Sequence, residues 1–333
     1  MGYRLSGRRV AVTGATGFIG RYLVRALQSR GAEVVAVVRN PDKVPAFQSA
    51  PDVELRQADL RDRPALERAF RGVDAAIHNA ALISVGRRSR EELVASNAEG
   101  TRNVMESLAT AGVLRVALTS SALVYRPRRD QFYRVGDPIW DRHDRPGRTR
   151  FYGLSKAVAE TIAVEFAAKE GIRLSIARPH LVFGAFDQGS FTRYLRLLMK
   201  PPVTVWFTHI EMSSIYAGDL AEGMLRMLES AEEDGGIYNT TAPGRTTWWD
   251  HLRAFREAGG PRPLVLPVPI PVRRVFDPGS FGPDLAWYPR PMVDAFRETL
   301  ALERGEAPEH DPGRCGPWPH REARFAPANG PRV

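Results

Sequence analysis

Apolar and polar residues alternate along the first half of the chain in blocks that predict strands and helices in turn. Short apolar runs such as "VAVT" (10–13) and "VVAVV" (34–38) are typical of strands buried on both faces. Between them the apolar residues follow helical spacing, at Ile19, Leu23, Val24 and Leu27. Because parallel neighbouring strands need crossover helices, this repeated order predicts an α/β fold with a doubly wound parallel sheet.

Each predicted element has a place on the chain. Strands are predicted within residues 8–13, 31–40, 53–62, 73–81, 113–125 and 172–184, and helices within 63–70, 89–112 and 152–170. Beyond residue 180 the alternation loosens. Helices are predicted within 189–202, 213–231 (capped near Asp219), 245–260 and 291–304, with a short strand near 237 and a proline-rich connector at 261–275.

The loosening predicts a division of the chain. We expect a first domain over residues 1–180, with a returning segment near 210–230, and a smaller C-terminal lobe over residues 181–305. Ligands of open α/β sheets bind outside the carboxyl ends of the strands, so the lobe is expected to bind substrate there. Residues 306–333 contain six prolines and three glycines, which predicts a flexible tail.

Composition and charge narrow the function classes. The formal charge is +9, but the arginines are spread along the chain without zinc-finger spacing, so no nucleic-acid partner is expected. The single cysteine, Cys315, excludes an internal disulfide, and no metal site is predicted. We find neither a signal region nor an apolar run near the ~20 residues of a membrane span. A cytoplasmic, soluble protein with no membrane partner is therefore expected.

A glycine-rich turn, "TGATGFIG" (13–20), stands between the first strand and the first helix. Such a turn lets the backbone approach a pyrophosphate, and the free N–H groups of the helix N-terminus hold the anion. The sequence therefore predicts a dinucleotide-binding Rossmann domain. The residues of the turn expected at the cofactor are Gly14, Thr16, Gly17, Phe18, Ile19 and Gly20.

The end of the second strand bears on which dinucleotide binds. A carboxylate there would bind the ribose 2′-hydroxyl of NAD, whereas an arginine accommodates the 2′-phosphate of NADP. This strand ends in Arg39, and the next carboxylate is Asp42. NADP is therefore the preferred cofactor and NAD the alternative, because Arg39 can also be a solvated residue in an arginine-rich chain.

Tyr152 and Lys156 lie one turn apart at the start of the helix predicted over 152–170. A phenol has a pKa of about 10, and a nearby ammonium lowers that pKa towards the range useful for acid–base catalysis. Ser120 and Ser121, at the end of the fifth strand, offer a hydroxyl for a substrate oxygen. Taken alone, a tyrosine–lysine pair at this spacing is more often a solvated helix face.

Five short motifs follow one another along the chain in this order: "TGATGFIG", "HNAA", "SSALVY", "YGLSK" and "RPHLVFG". Together they resemble the extended short-chain dehydrogenase/reductases, the NAD(P)-dependent epimerase/dehydratase-like group, over about residues 8–304. The resemblance implies an enzyme in which Ser121 binds the substrate oxygen and Tyr152 is the acid–base residue. It also implies that Lys156 lowers the pKa of Tyr152 and holds the nicotinamide ribose.

Further roles follow from the resemblance alone. It implies that Asp59 and Leu60 border the adenine and that Ala80 and Ala81 line the cofactor cleft. Asn97 would be structural or would help to relay protons near the active site. The residues implied to flank the nicotinamide are Pro179, His180 and Val182. A homodimer through the helices around 96–112 and 152–170 is implied as well.

Three branches of the family compete. Sugar 4,6-dehydratases carry an Asp-Glu pair after the active-site hydroxyl, where this chain has Ala122 and Leu123. Nucleotide-sugar epimerases usually retain NAD and have an acidic residue where Arg39 stands. "VVRNPDK" and "LAWYPRPMVDAFRETL" are more like the 3β-hydroxysteroid dehydrogenase and dihydroflavonol reductase branch. We therefore expect an NADPH-dependent reductase or alcohol dehydrogenase acting on a small carbonyl or alcohol. An epimerase and a non-catalytic NADP-sensing protein are the alternatives.

The substrate pocket is less clearly marked. The aromatic candidates for its lining, most of them expected in the core, are Tyr125, Phe132, Trp140, Phe186, Trp206, Phe207, Trp248 and Trp249. The arginine-rich segments 126–130 and 142–150 would meet an acidic substrate, or else form solvated loops. His180 and His209 are given no catalytic role.

Overall fold

Parallel strands and the helices between them make up most of the protein, in a computed structural model that describes residues 3–41, 53–83, 89–187, 191–198, 200, 202–230, 235–279 and 281–306. The strands are β1 (Arg9–Thr13), β2 (Glu33–Val38), β3 (Val53–Gln57), β4 (Ala75–His78), β5 (Arg115–Thr119), β6 (Phe132–Tyr133), β7 (Arg173–Ala177), β8 (Leu181–Phe183), β9 (Val203–Phe207), β10 (Ile210–Met212), β11 (Ser214–Tyr216), β12 (Ile237–Tyr238), β13 (Leu264–Val268) and β14 (Val272–Phe276). The helices are α1 (Phe18–Ser29), α2 (Arg63–Ala69), α3 (Arg90–Val94), α4 (Gly100–Thr110), α5 (Phe151–Glu170), α6 (Phe191–Leu198), α7 (Ala217–Glu229), α8 (Trp248–Glu257), α9 (Phe281–Asp284) and α10 (Met292–Glu303).

Seven of the described strands form the central sheet, in the order β12-β7-β5-β4-β1-β2-β3. Every pairing is parallel, with Val12 of β1 opposite Ala36 of β2 and Ile77 of β4. The order of strands reverses at β1, which is where open α/β sheets bind their ligands. The sheet confirms the predicted doubly wound parallel α/β fold.

Two hydrophobic clusters cover the two faces of this sheet. On one face α1 and α7 pack against each other over the strands, burying Leu23 and Leu27 completely. On the other face α2, α4 and α5 bury residues such as Leu66 and Leu108. Each such side chain contributes about 1.5–3 kcal/mol on burial. The strands are apolar on both sides because both sides are covered.

The C-terminal half corrects two expectations. The connector predicted over 261–275 forms β13 and β14, which pair with β9 and β10. The prolines are tolerated because β13 pairs with a single strand, so a missing N–H costs no ladder bond there. The strand predicted over 172–184 is divided into β7 and β8, and β8 leaves the central sheet to pair with β11.

Asp219 was expected to cap a helix, and it does not. The N-cap position of α7 is Tyr216, whose side chain makes no capping bond. The Asp219 carboxylate lies inside the first turn and accepts hydrogen bonds from Arg290 Nε (2.7 Å) and N (3.1 Å). A buried pair between α7 and the segment before α10 therefore replaces the predicted cap.

Some expectations fall on parts of the chain without a description. Asp42, Lys43, Cys315 and most of the predicted tail (307–333) lie outside the described residues. Within the described residues, no helix is long and apolar enough to cross a membrane.

His78 is a buried polar residue at the end of β4. Its Nδ1 and Nε2 atoms lie 2.8 Å from Thr13 Oγ1 and 3.0 Å from Thr101 Oγ1. Burial, with the charge of Lys156 as a second cause, lowers the pKa of His78 to about 3 from 6.5. The folded chain therefore holds this imidazole neutral where the unfolded chain protonates it.

We expect the free energy of unfolding to fall as the pH drops below 6.5, because protons then bind the unfolded chain preferentially. His78 contributes up to about 1.4 kcal/mol per pH unit between its unfolded and folded pKa values. His78→Gln should flatten this slope in urea unfolding measured at pH 7, 6 and 5. His143→Gln, at an exposed ring, should leave the slope unchanged. An equal slope in wild type and His78→Gln contradicts the prediction.

Candidate active site

The turn between β1 and α1 is shaped by its glycines. Gly14 has a φ of +68°, and a Cβ atom added there would lie 2.8 Å from the Cα atom of Ala80. At Gly20 an added Cβ would lie 2.1 Å from the Gly14 carbonyl oxygen. At Gly14 the turn therefore packs directly against the loop after β4, and at Gly20 the helix start packs against the turn itself, so a side chain at either position would force these backbones apart.

The N-terminus of α1 is open to an anion. Its N-cap, Gly17, carries no side chain to cap the helix, and the first turn holds no acidic residue. The N–H groups of Phe18, Ile19 and Gly20 occupy the first three helical positions, which have no acceptor within a helix. Partial positive charge collects at this end of a helix. The residues present therefore fit a pyrophosphate, and Thr16 lies in the turn beside them.

The side chain of Thr13, at the end of β1, holds the loop after β4. Thr13 Oγ1 accepts hydrogen bonds from the N–H groups of Asn79 (3.2 Å) and Ala80 (3.1 Å). Ala80 and Ala81 thus lie beside the glycine turn, at the switch point of the sheet.

Asn97 joins this loop to α5. Its Oδ1 accepts from Leu82 N (2.7 Å), and its Nδ2 donates to Leu82 O (3.1 Å) and to Ser155 Oγ (2.9 Å). Asn97 lies in a π-helical turn, Ala95–Glu99, between α3 and α4. Both amide hydrogens are used, so the geometry favours the structural role over the proton relay.

The opposite end of the expected cofactor cleft carries Arg39 and Asp59. Arg39 is exposed directly after β2, and its backbone oxygen accepts a hydrogen bond from Gln57. Asp59 is paired with Arg61, whose hydrogen bonds are the main cause holding the pKa of Asp59 below its usual range. Leu60 packs against Gly100 at the start of α4. Asp59 is therefore an ionised carboxylate whose charge is compensated by Arg61, and it lies near Arg39.

Ser121 and Tyr152 are brought together by a backbone contact. The Ser121 hydroxyl caps the short 3₁₀ turn Ala122–Val124 by accepting from Leu123 N at 3.2 Å. At Gly153 an added Cβ would lie 2.2 Å from the Leu123 carbonyl oxygen. The start of α5 therefore touches the Ser121 turn because residue 153 has no side chain. Sequence reasoning missed this glycine, although it stands inside the quoted "YGLSK".

Lys156 is buried one turn beyond Tyr152, and its Nζ donates to the Thr119 carbonyl at 2.7 Å. Burial lowers the pKa of Lys156 to about 8, and the nearby Glu160 carboxylate opposes that change. Burial raises the pKa of Tyr152 to about 12. The lowering of the Tyr152 pKa by Lys156 is not seen in this arrangement, since burial is the cause that acts on the phenol.

Glu160 and Arg178 form a buried ion pair that sequence reasoning also missed. Arg178 Nε donates to both Glu160 oxygens, at 3.0 and 3.2 Å, and Ser120 Oγ donates to Glu160 Oε2 at 2.7 Å. Arg178 Nη1 donates to the Tyr125 hydroxyl, which donates to Asn239 Oδ1 at 2.6 Å. Of the two serines, Ser120 therefore belongs to this network, whereas the Ser121 hydroxyl accepts from Leu123 N in the turn that α5 contacts. The spacing of Glu160, one turn after Lys156, was the available signal.

The segment after β7 contacts the same turn. Ala122 N donates to Pro179 O at 2.8 Å, and His180 Nδ1 lies 3.0 Å from Ser213 O. Val182 pairs with Ile215 in the β8–β11 ladder. Of the three implied nicotinamide neighbours, Pro179 thus contacts the Ser121 turn, while His180 and Val182 contact the segment around β11.

Comparisons with known proteins agree with this geometry. The sequence profile described as "NAD dependent epimerase/dehydratase family" matches residues 10–240. The chain belongs to that family. It is 32% identical to cinnamoyl-CoA reductase 1 of Petunia hybrida over 69% of this chain and 72% of that one. It is 31% identical to 3 beta-hydroxysteroid dehydrogenase/Delta 5-->4-isomerase of Mycobacterium tuberculosis over 89% of this chain and 80% of that one.

A solved structure shows the same fold. UDP-glucose 4-epimerase from Bifidobacterium longum, in complex with NAD+ and UDP, superposes with a TM-score of 0.71 at 21% identity, covering 89% of this chain and 98% of that one. The resemblance to the extended short-chain dehydrogenase/reductases, including their reductase and dehydrogenase branch, is confirmed. The chain is an NAD(P)-dependent enzyme of this family, in general terms an oxidoreductase.

Beside the two hydroxyls of this family member lies a cavity of about 260 Å³. Tyr125 and Trp140, two of the aromatic candidates, line it. Trp206 is instead fully buried, with its indole N–H donating to Trp248 O. Among the described residues, no group of three histidine, cysteine, aspartate or glutamate side chains is placed to hold a metal ion.

Gly17→Asp tests whether the N-terminus of α1 holds a pyrophosphate. Aspartate is a somewhat better N-cap residue than glycine, so the free energy of unfolding should be kept or rise by roughly a few tenths of a kcal/mol. Affinity for NADP and NAD should fall at least about tenfold, because a carboxylate then faces the phosphates. Fluorescence titration and urea unfolding measure the two effects, and Gly17→Asn controls for size. Unchanged affinity in Gly17→Asp contradicts the assignment.

Proposed function

We propose that the protein is an NADPH-dependent reductase of ketones or aldehydes, or the corresponding secondary-alcohol dehydrogenase, acting through Ser121, Tyr152 and Lys156. The contact between Gly153 and the Leu123 carbonyl carries this proposal, because it sets the tyrosine helix against the serine turn. The reductase and the dehydrogenase among its relatives support the same reaction class.

The proposed mechanism needs one proton at the carbonyl oxygen. When bound, the reduced nicotinamide would supply a hydride to the carbonyl carbon, and the two additions together give the alcohol. Tyr152 holds the proton, since burial keeps its pKa at about 12 and the phenol neutral at physiological pH. Ser121 would hydrogen-bond the same oxygen and orient it. The ammonium of Lys156, one turn beyond Tyr152, would hold the nicotinamide ribose.

The cofactor contacts follow from the described geometry. Gly14, Gly17 and the first N–H groups of α1 would hold the pyrophosphate, and Ala80 and Ala81 would border it. Arg39 would bind a 2′-phosphate, since its guanidinium is exposed at the end of β2. The Asp59 carboxylate already pairs with Arg61, so it would be a weak acceptor for a hydrogen bond from a ribose hydroxyl. These observations support NADPH over NADH.

The absence of an acid pair argues against dehydration. Ala122 and Leu123 follow Ser121, and Leu123 is used for its backbone, with its N–H on Ser121 and its carbonyl against Gly153. No carboxylate stands in this turn to remove a hydroxyl from a sugar. The proposal therefore keeps to simple carbonyl and alcohol chemistry.

Tyr152→Phe removes the proposed proton donor and little else. We expect turnover of any carbonyl substrate to fall at least about 100-fold, in the range of a lost general acid, while NADPH affinity stays within about twofold. A panel of aryl and alkyl aldehydes, followed by NADPH absorbance, measures turnover. Phe151→Leu is a neighbouring control that keeps the phenol. Retained turnover in Tyr152→Phe would sink the proposal, and a cofactor that stays bound as NAD through purification would point to an epimerase.

Arg39→Gln tests the cofactor preference. The variant should lose at least about tenfold in NADPH affinity and little in NADH affinity, because a charge-assisted bidentate contact to the 2′-phosphate is removed. Titration of both nucleotides gives the ratio. Arg25→Gln, which removes a charge from a half-buried position on α1, is the control. An unchanged ratio in Arg39→Gln shows that the preference does not depend on this residue.

A further inference from the structure

The cavity beside the Ser121 turn and the start of α5 is lined by aromatic rings. Tyr133 stacks on Phe276 at 4.9 Å between ring centroids and on Tyr125 at 5.5 Å, with interplanar angles of 19° and 29°. Both rings and Phe276 are almost fully buried, and Trp140 adds a fourth aromatic surface. The wall also includes Leu123 and Gly153, although Ser121 and Tyr152 do not line it themselves. A planar group can pack against such an aromatic lining.

Two guanidinium groups reach the same cavity. Arg150 lies two residues before Tyr152, and Arg274 lies two residues before Phe276 on β14, so Arg274 and Phe276 share one face of that strand. Within the described part of the chain, neither arginine has a carboxylate partner. Arg273, on the opposite face of β14, is paired with Glu211.

The charge of Arg274 affects the pKa of a neighbouring histidine. Burial lowers the pKa of the adjacent His180 to about 4; the bond to Ser213 opposes this and the charge of Arg274 reinforces it. The His180 ring packs on Phe276 at 4.6 Å. An uncompensated cation therefore stands at the aromatic wall, next to an imidazole that stays neutral. Such a cation is stabilised by an incoming anion.

We propose that this cavity is a substrate subsite for a planar, unsaturated or aromatic group that carries an anion, a carboxylate or a phosphate, held by Arg274 and Arg150. The inference rests on the proposed function, since the carbonyl end of the same substrate would lie at Ser121 and Tyr152. It assigns Arg274, which no sequence motif marks, as a specificity-determining residue. Two arginine-rich segments, 126–130 and 142–150, are candidates for contact with an acidic substrate. The proposal assigns this contact to segment 142–150, which contains Arg150.

Turnover of matched aldehydes tests the subsite. We expect kcat/KM for 4-formylbenzoate and 4-formylphenyl phosphate to exceed that for neutral methyl 4-formylbenzoate at least about tenfold, the scale of a charge-assisted bidentate contact. The better of the two anions separates carboxylate from phosphate. Arg274→Gln should reduce the preference to less than about threefold, mainly through KM. Arg273→Gln, on the other face of β14, and Arg148→Gln, two residues before Arg150, should keep it.

Binding of phenyl phosphate to Tyr152→Phe, measured by calorimetry with phenol as the neutral control, separates the two proposals. Tight phenyl phosphate binding that is lost in Tyr152→Phe/Arg274→Gln supports the subsite even where no aldehyde is turned over, and then the reductase proposal alone fails. Equal turnover of charged and neutral aldehydes, with binding that does not depend on Arg274, overturns the subsite and leaves the reductase standing.

Discussion

The buried ion pair between Glu160 and Arg178 is the interaction on which the arrangement of the active site depends. Both side chains are almost fully buried, so either charge alone would cost several kcal/mol. Each is satisfied by groups from different elements: Ser120 after β5, Tyr125 in the following loop, and Asn239 beyond Tyr125 after β12. The pair therefore fixes α5, which carries Tyr152 and Lys156, against the carboxyl ends of the central strands.

The same pair sets the electrostatics of α5. Glu160 lies one turn beyond Lys156 and opposes the loss of its charge, while burial drives the pKa of Lys156 down to about 8. Burial moves the phenol of Tyr152 the other way, to about 12. One helix thus presents a firmly protonated hydroxyl and a weakly held ammonium. Opposed shifts of this kind are how one site separates its acid from its base.

Much of this could be predicted from the sequence because it rests on local patterns. Apolar runs predicted the parallel sheet, and the glycine spacing predicted the β1–α1 turn and its open helix end. The strands β13 and β14, which lie in a proline-rich segment, could not be predicted, since their pairing with β9 and β10 depends on distant partners. The proline content there favours a loop in any local view.

The site divides in the same way. The proximity of Tyr152 and Lys156 could be predicted because helical spacing alone places both residues on one face of the helix. The roles of Gly153 and Arg274 are set by contacts across the fold, with the Leu123 carbonyl and with the cavity wall, and no local pattern marks them. The Lys156 contact with Thr119 O is likewise a tertiary feature, and so is the burial that raises the pKa of Tyr152.

The close approach at Gly153 has an evolutionary consequence. The turn of Ser121 and the helix of Tyr152 meet through backbone atoms, whereas most of the cavity beside them is lined by side chains from β14 and the loops after β5. Wall residues such as Tyr133 and Arg274 lie elsewhere along the chain than Ser121 and Tyr152. Substitutions in the wall can retune the range of accepted molecules while the reaction itself is inherited intact, which suits a scaffold that diversifies by small steps.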